Sequence, residues 1–231
     1  MKTSRKTKNK ETKLTTTNIA VILACIIVPA IIGFYSGDLL IGGSLLAANL
    51  LGSYTAIIQK RINYVFDFIS ALLVAFVGYE NDFFGSFFMS LFIFAPIEIA
   101  GFLAWGRHLD KKKKIVEIRK LTPKNAFIVT SLCVLGSITF GYLLTKIPTQ
   151  QMAFLDSTIC CLDICALILF SLRYRESWWL WVISGALSVI MWSIALFEGG
   201  DNSFMRLLTA IGFLIFDTYG AINWHQKLKK P

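Results

Sequence analysis

Four carboxylic acids stand inside apolar stretches of this chain: Asp67, Glu98, Asp163 and Asp217. A charged side chain at the centre of a bilayer costs about 2.5–3.5 kcal/mol on insertion scales, so each needs a reason to be there. Two uses fit. The acids can line a wet path that holds a cation, a hydroxyl-rich solute or a proton, or they can be hydrogen-bonded groups that tie helices together. Trp178, Trp181 and Gly185 follow at i, i+3 and i+7, one helical face. Two indoles there could sandwich a flat ring, a cationic one best, and Gly185 would allow close approach to the backbone. The corresponding face upstream carries Asn63, Phe66 and Ser70, with Asp67 beside it. The candidate binding set is therefore Trp178, Trp181, Gly185, Asn63, Phe66, Asp67, Ser70, Glu98 and Asp217.

Other residues read as structural. Trp179 at the start of its run, and Trp105 and Trp224 at the ends of theirs, suit an interfacial aromatic belt; His108 and His225 follow as interface residues. Cys25, Cys133, Cys160, Cys161 and Cys165 all lie in apolar runs and read as small, reduced side chains. The sequence has no nucleotide-binding loop, zinc signature or nucleophile elbow. The expectation is a chain that is not an enzyme, with no metal and no cofactor.

The elements that must position these residues are set by the solvent. The chain is 55% hydrophobic and 16% charged, against about 25% charged in a soluble domain. A helix needs roughly 20 mostly apolar residues to cross the hydrocarbon. Eight runs qualify, near 18–35, 38–58, 62–79, 83–105, 125–145, 152–172, 177–197 and 203–224. Unpaired strand edges are too costly in lipid, so the runs read as helices. Of the 23 Lys and Arg, 21 fall on one side of this arrangement: the tail to Lys13, Lys60 and Arg61, the 106–124 linker with Lys111 to Lys114, Arg173 and Arg175, and the C-terminal tail with Lys229 and Lys230. Lys146 and Arg206 fall on the other, with Asp38, Glu80, Asp82, Glu198 and Asp201. The positive-inside rule then puts both termini in the cytoplasm of a bacterial plasma membrane. Span 1 lacks a clear small-x-small cleavage site and reads as an uncleaved helix.

The two halves repeat. Glu98-x-x-Gly101-x-x-x-Trp105 ends span 4, and Asp217-x-x-Gly220-x-x-x-Trp224 ends span 8. Ile69-Ser70-Ala71-Leu72 in span 3 is echoed by Ser184-Gly185-Ala186-Leu187 in span 7. Spans 2–4 thus match spans 6–8 in the same orientation, and span 5 supplies the odd crossing that such a parallel pair requires. The expected fold is all-α and integral to the membrane: eight transmembrane helices, a 3+1+3 parallel-repeat core and one extra N-terminal helix. Its parts are a basic tail (1–17), the extra helix (18–35), a first three-helix repeat (38–105), a cytoplasmic linker (106–124), a linker helix (125–145), a second repeat (152–224) and a tail (225–231). Carriers built from such repeats hold the solute near the midplane between them.

Several stretches carry a resemblance. Phe154-Leu155-Asp156-Ser157, Arg173-x-Arg175-Glu176-Ser177-Trp178-x-x-Trp181-Val182-Ile183 and Gly220-x-x-x-Trp224, with Lys60-Arg61-Ile62-Asn63-Tyr64 and Gly101-x-x-x-Trp105 in the first half, resemble the PnuC family. The resemblance covers roughly residues 45–106 and 150–225. It implies a SWEET-like fold and facilitated diffusion of nicotinamide riboside or a related vitamin precursor, trapped by a cytoplasmic kinase; a homo-oligomer is possible. Related branches carry thiamine, riboflavin or deoxynucleosides. The family's Trp-x-x-Trp-x-x-x-Asn motif lines its vitamin site. Trp178 and Trp181 match it, while Gly185 stands in place of the Asn, Ser70 in place of the first-repeat Asn, and Glu98 where Asn is common. The alternatives left open are a non-transporting membrane subunit and a membrane-embedded enzyme.

Overall fold

The computed structural model describes residues 16–37, 39–80, 90–110, 115–146, 152–198 and 203–227. Eight α-helices occur among them: α1 Thr16–Ser36, α2 Ser44–Ile57, α3 Asn63–Glu80, α4 Ala95–Arg107, α5 Pro123–Leu144, α6 Ala153–Ser171, α7 Ser177–Phe197 and α8 Ser203–Lys227. Single π-helical segments, Leu39–Gly43 and Ser90–Phe94, lead into α2 and α4. The expected start of span 4 (83–89), the tails 1–15 and 228–231, and Asp38, Asp82, Lys111 to Lys114 and Asp201 lie outside the described residues. The linker expected over 106–124 is shorter, because α4 continues to Arg107 and α5 begins at Pro123. Between them β1 Leu109–Asp110 pairs antiparallel with β2 Ile115–Val116, a small exception to the all-helical expectation. At the start of α5, Thr122 accepts a hydrogen bond from Asn125 N at 3.3 Å and Pro123 takes the first helical turn, where it has no partner to lose.

Among the described residues, six helices are long and apolar enough to cross a membrane. The described apolar part of α3 is shorter, Asn63–Phe76, and α8 carries Asp217, His225 and Lys227. The outer surface is what a bilayer requires. Phe127, Leu135 and Ile215 are all more than 60% exposed, a display of apolar surface far beyond what water tolerates. This is a multi-pass membrane protein.

The packing order is α1 on α2, α2 on α3, α3 on α4, then α5 on α6, α6 on α7 and α7 on α8. Two further contacts, α4 with α6 and α2 with α8, join the groups into a ring. At the linker end of this ring lies a buried cluster of Ala56, Ile57, Tyr64, Trp105, Val116, Phe170, Trp178, Ala221 and Trp224. Trp105 and Trp224, expected as belt anchors, are fully buried there. Each indole reaches across: Trp105 Nε1 donates to Phe170 O and Trp224 Nε1 to Ile57 O, both at 3.2 Å. A belt Trp needs a wet edge for its N–H; these two find carbonyls at helix ends, where the α-helical ladder stops and an oxygen's acceptor capacity is left for a side chain.

Candidate functional site

Above the aromatic cluster a cavity of about 570 Å³ opens between the two groups of helices. It runs from Ala56, Phe170 and Trp178 at the linker end to Ser90, Trp192 and Ala210 at the other. Measured from Trp178 to Trp192 on α7, that is about 20 Å of helix. Asp67, Glu98, Asp163 and Asp217 all line it, and among the described residues no Lys, Arg or His does.

Of the expected binding set, Trp178, Trp181, Gly185, Asp67, Ser70, Glu98 and Asp217 line this cavity. Asn63 and Phe66 do not. Asn63 is fully buried at the start of α3. Its amide either donates to Asp67 Oδ2 at 3.4 Å or, turned over, donates to Lys60 O at 2.7 Å and accepts from Tyr64 N at 3.3 Å. Both uses are local to the first turn of the helix. Phe66 is half-buried one position away from the face that carries Asp67 and Ser70.

Two further expectations need correction. Trp178 and Trp181 do not form parallel plates. Their centroids are 5.3 Å apart with an interplanar angle of 72°, edge to face, so no ring can slide between them. Trp178 is instead a buried floor, packed on Phe170 and Trp224, and Trp181 is the partly open indole. Gly185, for its part, is close to α8: a Cβ added there would sit 3.4 Å from Leu214, an ordinary contact. The space at Gly185 is thus taken up by helix packing as well as by the cavity.

The polar groups are held in a regular way. Ser70 Oγ donates to Asn49 Oδ1 and Ser184 Oγ to Asp163 Oδ1, both at 2.6 Å and both across 21 residues of sequence. The second pair lies 114 positions after the first. The counterpart of Ser70 is therefore Ser184, one residue before Gly185, which the sequence echo aligned with it. The same spacing matches Tyr64 with Trp178 and Asp67 with Trp181. Close packing agrees: a Cβ on Gly101 would strike the Tyr64 ring, and one on Gly220 the Trp178 ring. On the first half, Gly52 leaves room for the Asp67 carboxylate, which a Cβ there would overlap.

Glu98 is 95% buried and, among the described residues, its Oε2 has no hydrogen-bond partner. A buried polar atom left unpaired costs about 1–3 kcal/mol, and Glu98 lines the cavity, where a polar group of a solute could reach it. Asp67 and Glu98 from the first half and Asp163 and Asp217 from the second line the same cavity, so each half contributes a pair of acids. Asn49, Ser53, Ser90, Ser188, Trp192 and Phe213 also line the cavity and escaped the sequence reading. Asn49 and Ser53, i and i+4 in an apolar run, could have been found by asking which polar residues share a helix face; Ser90 and Trp192 had no such signal.

Residues 40–226 match the family described as Nicotinamide mononucleotide transporter. This chain belongs to that family, the PnuC transporters. A nicotinamide riboside transporter PnuC of Neisseria mucosa is 30% identical over 179 residues, which is 74% of this chain and 66% of that protein, just under two thirds of its length. The PnuC of Escherichia coli bearing the same description is 27% identical over 171 residues, 64% of this chain and 71% of its own. Among solved structures, the crystal structure of the vitamin B3 transporter PnuC superposes with a TM-score of 0.76 at 26% identity, covering 94% of this chain and 93% of that one. PnuC membership makes this a membrane transporter and not an enzyme. Among the described residues no group of His, Cys, Asp and Glu is arranged to hold a metal ion.

Proposed function

We propose that the chain is a facilitative carrier for nicotinamide riboside, bound in the acid-lined cavity between two parallel three-helix repeats, α2–α4 and α6–α8. The observation that carries this reading is the cavity wall itself: four carboxyls, aromatic rings that include Trp181 and, among the described residues, no basic side chain. A pyridinium ring carries a fixed positive charge and a flat π-face. Burying it is costly unless anions compensate the charge, and an indole adds cation–π attraction. Asp67 and Trp181 occupy equivalent positions in the two repeats, so a ring between them would meet a carboxylate on one side and an indole on the other. Ribose hydroxyls would find Asn49, Ser53 and the Ser70 and Ser184 pairs. The relatives named for nicotinamide riboside support this choice of solute.

In the same reading all eight helices cross a bacterial plasma membrane, with both termini and the 106–124 linker in the cytoplasm, as the basic residues indicate. α5 packs on α6 as α1 packs on α2, so α1 takes the place in the first half that the linker helix takes in the second. Uptake would run down the solute's gradient, and a cytoplasmic kinase would keep that gradient by trapping the product. A second solute, thiamine, is favoured by one observation: Gly185 leaves the wall without the amide that the family motif carries there, while the cationic ring would still meet all four acids.

The deciding experiment uses purified protein in liposomes without ATP. Nicotinamide riboside should enter in a saturable way and should raise the melting temperature of the detergent-solubilised protein. Saturable entry of thiamine, with none of nicotinamide riboside, would transfer the assignment to thiamine; entry of neither would remove it.

A further inference from the structure

The two helix ends at the linker side share an unusual corner. Gln59 after α2 and Arg173 after α6 lie 114 positions apart, and both are non-glycine residues in the left-handed region, φ 60° and 69°. That conformation costs a side-chain-bearing residue of order 1 kcal/mol or more, so something must hold it. In both cases a Schellman-type cap closes the helix, Lys60 N donating to Thr55 O at 2.8 Å and Tyr174 N to Leu169 O at 2.9 Å, and the segment that runs from β2 to α5 grips the corner from outside. Gln59 O accepts from Val116 N at 3.3 Å, and Gln59 Nε2 donates back to Val116 O at 2.8 Å. Three residues on, Arg119 N donates to Arg173 O at 2.8 Å, and Arg119 O accepts from Arg175 N at 3.1 Å. Leu121 N then donates to Glu176 Oε2 at 2.9 Å. Gln59, Arg173 and Val116 are all buried.

The strap therefore grips the end of one repeat with Val116 and the end of the other with Arg119. It does so directly beneath the aromatic floor, in which Val116 itself takes part. The carbonyls that receive the crossed indoles, Ile57 O and Phe170 O, lie two and three residues before the two gripped corners.

We propose that residues 116–121 are the latch of the linker-side gate, with Gln59 and Arg119 as its positioning residues. This rests on the carrier reading: the solute can leave the cavity toward the linker only if the two repeats separate there, parting Trp105 from Phe170 and Trp224 from Ile57. A strap held at both corners opposes that separation. At least one attachment is released in every cycle.

The test is to make both attachments covalent and reversible. In a background without the five native cysteines, Gln59→Cys with Val116→Cys ties one corner and Arg119→Cys with Tyr174→Cys, a bridged pair, ties the other. With both disulfides formed, nicotinamide riboside uptake should fall at least about tenfold and recover on reduction, while ligand-induced thermal stabilisation persists, because a gating residue limits motion and not binding. Unchanged uptake with both disulfides present would overturn the latch. If the reduced protein takes up no solute although it is folded, the carrier reading fails instead, and a second measurement still decides the latch. Ser53→Cys places a reporter in the cavity wall, and a polar maleimide is presented from the linker side. Adding Gln59→Ala should speed labelling several-fold; labelling at the parent rate would overturn the proposal.

Discussion

The two halves of the cavity wall share a scaffold and differ in chemistry. At the floor the equivalence is close: Tyr64 and Trp178 are aromatic, each seated against a glycine, Gly101 or Gly220. One turn higher, Asp67 answers Trp181 at the same spacing of 114, and on α2 and α6 Asn49 answers Asp163. The scaffold positions hold rings and glycines because they pack helices, a demand that is the same on both sides. The wall positions are free to diverge because a solute is not two-fold symmetric. The first wall supplies charge low in the cavity, and the second supplies an indole there and charge higher up. Under the proposed carrier reading, the difference marks where ligand chemistry, and not packing, chose the residue.

The comparison breaks most visibly at Trp181. If this indole is the ring platform, Trp181→Ala should weaken nicotinamide riboside binding by roughly 10- to 100-fold, since stacking of a base-like ring on an aromatic side chain is worth about 1–3 kcal/mol. Trp179→Ala is the control: Trp179 is 47% exposed on the outer surface and should bind as the parent does. Equal losses from the two would remove the ring platform from the argument. Next in size is the acid wall. Glu98→Gln keeps the shape and removes one anion, and should cost about tenfold in affinity for a cationic solute, as a hydrogen bond to a charged group is worth about 1.5–3 kcal/mol. Asp217→Asn, its counterpart, should do the same by isothermal titration. A neutral riboside should discriminate neither variant from the parent. Unchanged binding of the cation by both would show that the acids serve helix packing alone.

How much of this was readable beforehand follows the same division. The helices were legible because lipid imposes a long apolar run on a crossing, and the echo of Glu98-x-x-Gly101-x-x-x-Trp105 in Asp217-x-x-Gly220-x-x-x-Trp224 marks two glycines that each face an aromatic ring, Tyr64 and Trp178. The placement of Glu98, Asp217, Asp67 and Trp181 on one cavity followed from asking why acids and indoles sit in apolar runs. What failed did so for identifiable reasons. Trp105 and Trp224 read as belt residues because sequence cannot show that carbonyls of the opposite half, Phe170 O and Ile57 O, lie within reach. Asn63 read as a wall residue because helical spacing gives a face and not its depth. The echo aligned Ser70 with Gly185 because it was matched on small residues; the Ser70–Asn49 and Ser184–Asp163 hydrogen bonds pair Ser70 with Ser184 instead, at a spacing of 114. The gripping of both corners by the 116–121 strap had no sequence signal, since left-handed corners normally announce themselves by glycine, and here they are Gln59 and Arg173.

The floor gives the third prediction, on stability. Gly220→Ala drives a methyl into the Trp178 ring and Gly101→Ala drives one into Tyr64. These are rings packed in a buried cluster and cannot swing away freely, so each substitution should cost about 1–3 kcal/mol, the usual cost of overpacking. The two melting temperatures in detergent should fall by comparable amounts. A fall at one glycine only would mean that the floor is built by one repeat and that the equivalence of Tyr64 and Trp178 is a coincidence of spacing.

The smallest effect is expected where the wall and the scaffold meet. At Gly185 an added Cβ finds Leu214 at 3.4 Å, with no forced overlap. Gly185→Ala should therefore change stability by less than about 1 kcal/mol, since it gives up glycine flexibility inside a helix and adds a tolerable contact. Gly185→Asn extends the same position into the cavity with an amide. If the wall of the second half is where the solute is chosen, the Asn variant should shift preference between nicotinamide riboside and thiamine while leaving the melting temperature near that of the Ala variant. The ratio of the two affinities, measured side by side for Gly185, Ala and Asn, is the readout. A constant ratio would place solute choice elsewhere, and the first wall, with Asp67 and Glu98, would be the remaining place to look.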